Sequence, residues 1–124
     1  MEKRHKDVGV SLREVYATAW HNGGPPEDPA GYGLRLTKAD RDRYFDSTWE
    51  EVVLEMDGAP AASIPLSPSF WRSCSELRSA TIGSWLLATD AAPWAQGRPP
   101  GIAVTPIEGN QFSARLLQRR ALQQ

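Results

Sequence analysis

Residues 32–66, YGLRLTKADRDRYFDSTWEEVVLEMDGAPAASIPL, decide the fold class. Tyr32, Leu34 and Leu36 alternate with Gly33 and Arg35, the two-residue period of a half-buried strand. Thr37 ends that pattern. With Asp40 it forms a capping box, T-K-A-D, in which short polar side chains satisfy the free amides of a helix start. A short, highly charged helix is expected through Phe45, with Ala39 and Tyr44 or Phe45 turned inward. Trp49 to Met56 then brings Val52, Val53 and Leu54 together, bounded by Asp57-Gly58, and a second apolar run covers Ala61 to Leu66. The pair predicts a hairpin, with a loop over Asp57 to Pro60 longer than the two-residue minimum.

Toward the C-terminus, Ser67-Pro68 is a helix start, because serine caps and proline at the first helical position gives up no needed hydrogen bond. Phe70, Trp71, Cys74 and Leu77 fall on one helical face. A break is expected near Arg78, where Ser79 caps again. Ile82, Trp85, Leu86 and Ala88 then continue an apolar stripe, with Gly83 allowing another backbone to approach closely. Residues 90–101, DAAPWAQGRPPG, read as a stiff connection. Ile102 to Ile107 and Gln111 to Leu117 around Glu108-Gly109-Asn110 predict a second hairpin. Residues 118–124, with Arg119-Arg120, read as a flexible basic tail.

Toward the N-terminus, the first eight residues are charged and aperiodic and are expected to fray. Ser11 to Glu14, S-L-R-E, is another capping box. Leu12, Val15, Tyr16, Ala19 and Trp20 recur at helical spacing, so a short amphipathic helix is predicted. The Pro/Gly-rich stretch 21–31, HNGGPPEDPAG, would link it to the rest. The expected organisation is an N-terminal helix and linker over 1–31, a compact domain over 32–117, and the tail over 118–124. The fold class is α+β: a small antiparallel sheet of about five strands, flat or curled into an open barrel, with three to four short helices. Strands and helices do not alternate as a parallel α/β sheet requires.

At 124 residues, 40% apolar and 23% charged, the chain has the composition of one ordinary globular domain with a single core. No apolar run approaches the ~20 residues that cross a bilayer, and the start MEKRHKDVGV lacks the apolar stretch of a secretory signal. The single cysteine, Cys74, suits a reducing compartment, so a cytoplasmic location is expected. A formal net charge of −1 gives no global field toward nucleic acid or an anionic membrane, so neither membrane binding nor non-specific DNA binding is expected from charge alone.

Catalytic chemistry has little support. Cys74 shares its predicted face with Phe70 and Leu77, and the only histidines, His5 and His21, fall in segments read as loose, so a buried structural thiol is expected. Cysteine and histidine together number three, too few for a dedicated zinc site. Asp40, Asp42, Asp46, Glu50 and Glu51 are close in sequence, but Asp40 and Asp42 point to different helix faces with Arg41 and Arg43 among them, so ion pairing is expected rather than magnesium. Phosphate-binding glycine loops and nucleophile elbows are missing. No cofactor or metal is expected.

Two binding surfaces are suggested. Arg41, Arg43, Arg72 and Arg78 occur near Tyr44, Phe45, Phe70 and Trp71, the residue mixture that contacts phosphates and stacks on bases. Pro26 to Pro29 and Arg98-Pro99-Pro100 resemble extended polyproline segments, with Trp94 beside them able to fold over the core or insert into a partner. The leading expectation is a non-catalytic module that contacts another protein or a second copy of itself. A nucleic-acid-binding domain using Arg41, Arg43, Phe70, Arg72 and Arg78 comes second, and a small enzyme working through paired carboxylates third. Arg41, Arg43, Phe70, Arg72, Arg78 and Trp94 are the candidate binding residues.

Overall fold

A computed structural model describes residues 14–117. The chain runs β1 (Val15–His21), a 3-10 turn (Pro29–Gly31), β2 (Tyr32–Arg35), α1 (Lys38–Tyr44), β3 (Glu51–Met56), β4 (Ala62–Pro65), α2 (Pro68–Arg72), β5 (Glu76–Arg78), α3 (Ala80–Ala88), β6 (Gly101–Glu108) and β7 (Gln111–Leu116). All seven strands join one sheet in the order β4-β3-β7-β6-β1-β2-β5. The sheet curls until its edge strands β4 and β5 come alongside each other, which makes a nearly closed barrel. Among the described residues no helix is long and apolar enough to cross a membrane.

Alternate residues of the strands point inward. Val15, Ala17 and Ala19 of β1, Val52 and Leu54 of β3, Ile102 and Val104 of β6, and Phe112 of β7 are all buried. The helices and their flanking residues fill the space that remains. Phe45 stacks on Phe112 with ring centroids 4.9 Å apart and meets Phe70 at 5.5 Å, while Ile82, Trp85 and Leu86 bring in the buried face of α3. Offset and tilted ring pairs of this kind add to the burial of their large apolar area.

Three local readings hold. Thr37 caps α1, its hydroxyl accepting from the Asp40 amide at 3.1 Å. Ser67 caps α2 with Pro68 at its first position. The hairpins β3–β4 and β6–β7 form where the sequence places them, although a register shift between Pro106 and Glu108 puts a bulge in β6 and leaves Ile107 half exposed.

The sheet has seven strands where about five are expected, and the additional two come from segments that read as helix. Residues 15–21 form β1, which lies inside the sheet between β6 and β2. V-Y-A-T-A-W satisfies both periods, but its β-branched and aromatic residues suit a strand, which ladders to β6 through Val15–Thr18 and to β2 through Thr18–His21. Of the capping box expected there, Ser11 lies outside the described residues, and Glu14 instead accepts from Arg115 at 2.7 Å. The predicted frayed N-terminus and the basic tail likewise lie outside them.

The second correction falls on residues 73–78. α2 stops at Arg72 because the amides of Ser73 and Cys74 both turn back to the Ser69 carbonyl, at 2.9 and 2.8 Å. The chain then extends as β5 and pairs with β2. Leu77 is buried from a strand, and the expected helical stripe of Phe70, Trp71, Cys74 and Leu77 does not form. A third difference is that β3 and β7 pair in parallel, so the sheet is not wholly antiparallel.

The stretch 21–31 is tied to the body. Its 3-10 turn lies against α3 at Gly83, where a β-carbon would overlap the Pro29 carbonyl, and the Tyr32 hydroxyl donates to the Pro26 carbonyl at 2.6 Å. The close approach expected at Gly83 is made by this turn.

Candidate binding surface

The candidate arginines do not converge on one surface. Arg41 is buried: its Nη1 donates to the Phe70 carbonyl at 2.8 Å, its Nε to Asp42 at 2.9 Å, and its guanidinium lies 5.9 Å from the centre of the Trp71 ring. It fastens α1 to α2 and is not open to a ligand. Phe70 is in the core at 2% exposure, so it offers no face for a base to stack on. Arg43 is exposed over Tyr44, and Arg72 is exposed at the end of α2.

Arg78 belongs to a different cluster. Trp20, Gly33 and Arg78 lie in register across β1, β2 and β5. Glycine at 33 places no side chain between its neighbours, and the Arg78 guanidinium sits 4.5 Å from the centre of the Trp20 ring. Its Nη2 also donates to Glu76 at 2.8 Å, and Arg35, directly across from Glu76 on β2, donates from Nη2 and Nε at 2.7 and 3.0 Å. Burial opposes ionisation of Glu76, but the two arginines outweigh it and hold the carboxyl below its usual range. The charge of Arg78 is thus engaged locally.

Cys74 is half exposed, not buried as expected. Its sulfur accepts from the Ser73 hydroxyl at 3.7 Å, and it lines a hollow of about 200 Å³ with Glu76 and Arg78. Among the described residues no three Cys, His, Asp or Glu side chains are gathered to hold a metal ion.

Larger concavities among the described residues lie elsewhere. One, of about 470 Å³, runs between the β3–β4 loop and the small exposed side chains of α3, including Ala80, Ser84 and Ala88. The other region centres on Trp94. A hollow of about 360 Å³, lined in part by Ala91, Arg98 and Leu117, lies on one side, and a hollow of about 280 Å³, lined by His21, Pro26 and Tyr32, lies on the other. Pro93 and Trp94 belong to both. Trp94 is half-buried against Tyr32 at 5.7 Å and His21 at 6.4 Å, both near edge-to-face, and His21 meets Tyr32 at 4.5 Å.

The fold explains how these residues meet. His21 ends β1, Tyr32 opens β2 and is its partner in the ladder, and the 89–100 connection returns Trp94 over both before its Pro100 carbonyl accepts from the Ala19 amide at 3.0 Å. Burial, with the Glu27 charge adding to it, raises the Tyr32 hydroxyl above the ordinary phenol pKa, so it acts as a neutral donor. Trp94 was legible from its proline-rich setting. His21 and Tyr32 were not, because their pairing depends on β1 being a strand.

The chain is therefore a small α+β protein with a nearly closed seven-stranded barrel and an aromatic cluster set between two surface hollows. Comparison with protein-family models, curated proteins and solved structures finds no match for it.

Proposed function

We propose that this protein is a non-catalytic binding module that holds a segment of another protein across Trp94. The observation that carries the reading is the position of Trp94 as a ridge shared by two adjoining hollows, with its ring braced by His21 and Tyr32. Tryptophans set in this way, apolar and held at low entropic cost, dominate the energetics of many protein interfaces. Its lone thiol suits a reducing compartment, and we place it in the cytoplasm.

Selection from a displayed library of natural protein segments tests this. Segments enriched on the wild-type protein should lose most of their affinity for Trp94→Ala, and retention of full affinity by that variant would remove Trp94 from the interface.

Nucleic-acid binding is the second reading, supported by Arg78 stacked over the half-buried Trp20, with Arg35 beside it. Against it stands Glu76, which engages both guanidiniums. Binding to short single- and double-stranded DNA and RNA that weakens steeply with salt would favour it, because phosphate contacts release counterions.

A further inference from the structure

Resting on the Trp94 reading, we propose that the hollow bounded by His21, Pro26, Tyr32, Pro93 and Trp94 takes an extended, proline-containing peptide, with His21 donating a hydrogen bond to one of its backbone carbonyls. His21 supplies the first argument. The Gly23 amide donates to its Nδ1 at 3.2 Å, which puts the proton of the neutral ring on Nε2. That Nε2 is buried and has no hydrogen-bond partner among the described residues. Buried polar groups nearly always have one, so an orphaned donor beside a hollow marks the place of an absent acceptor.

The walls supply the second argument. They are two prolines and three aromatic rings, with no carboxylate, lysine or arginine among them, which suits an uncharged, flat, apolar group. The third comes from the chain's own prolines. Tyr32 donates to the carbonyl of Pro26 at 2.6 Å, so an aromatic side chain of this site already clasps a prolyl carbonyl. Ring donors reaching the carbonyls of a pre-extended proline segment are the chemistry of polyproline recognition, in which the ligand loses little entropy on binding. A ligand lying beside Pro26 would meet the same surface, with His21 as its donor.

The probe is a decaproline peptide, with an alanine-rich peptide of equal length as control, followed by tryptophan fluorescence and by the His21 imidazole resonances. Decaproline should bind saturably and the control should not. His21→Phe, which keeps a ring but removes the donor, should weaken binding about tenfold, the scale of one lost hydrogen bond to an unpaired group. Trp94→Ala should abolish it. Unchanged affinity in a folded His21→Phe variant would overturn the role of His21. If that variant does not fold, the wild-type Nε2 proton decides: a shift on adding decaproline supports the proposal and no shift overturns it. Should decaproline fail to bind while library-selected segments bind in a Trp94-dependent way, the proline inference falls and the protein-binding reading stands. If no segment depends on Trp94, both fall.

Discussion

Gly83 sits where α3 crosses the 3-10 turn, so close that any side chain meets the Pro29 carbonyl, a backbone atom that cannot swing aside. Gly83→Ala should therefore destabilise the protein by about 3 kcal/mol, the upper part of the range for overpacking, even though alanine is the better helix former. Ser84→Ala, one residue on and facing solvent, should stay within about 0.5 kcal/mol. Urea denaturation of the pair checks both. Among the arginines, Arg41→Ala should cost about 2 kcal/mol, because it leaves the buried Phe70 carbonyl without its donor, whereas Arg43→Ala and Arg72→Ala at exposed positions should cost about 0.5 kcal/mol or less. The sequence showed all of these arginines beside aromatic residues. Which of them turns inward depends on α1 and α2 becoming neighbours, and no local pattern records that.

At the level of elements, β1 is the main departure from the sequence reading. As an arm on a linker, it would be dispensable. As a strand laddered to β6 and β2 on its two sides, it is a central part of the sheet. Removing residues 1–21 should leave a chain without cooperative unfolding by circular dichroism, and a stable, cooperative remainder would contradict the ladder. The β2–β5 pairing makes a second prediction, on pH. Glu76, and likewise Glu14 beside Arg115, have folded pKa values below their unfolded ones, which for glutamate lie at about 4.3. Their contribution to stability is thus complete above the unfolded value and lost as pH falls through the folded one. The urea midpoint should decline from about pH 5 downward, and Glu76→Gln should flatten that decline while lowering the midpoint at neutral pH. An equally steep decline in the variant would assign the acid sensitivity elsewhere.

For the whole molecule, the near closure of the sheet leaves β4 and β5 as short edges lying alongside each other, so backbone pairing with another chain has little exposed edge to use. Function is then sought in side-chain surfaces, and around Arg78 the charges are spent on one another: Arg35 and Arg78 both pair with Glu76, as Arg115 does with Glu14 elsewhere. Short DNA and RNA probes should accordingly give flat tryptophan titrations at low salt, and salt-sensitive binding lost on Arg78→Ala would reverse the order of the two functional readings.

The sequence by itself determined what depends on neighbours in the chain. The Thr37, Ser67 and Ser79 caps and the two hairpins all follow from side chains acting within a few residues. It also marked Trp94 as a residue with more than one use. Tertiary structure decided what local preference leaves balanced. Residues 15–20 carry both a helical and an alternating period, and residues 73–78 carry a helical stripe that ends early. In each case pairing with distant strands set the outcome, because a ladder supplies backbone partners along the segment while propensity separates the alternatives only weakly. The aromatic cluster follows from the same cause: His21, Tyr32 and Trp94 are brought together by the β1–β2 ladder and the return of the 89–100 connection, across distances in sequence that no periodicity spans.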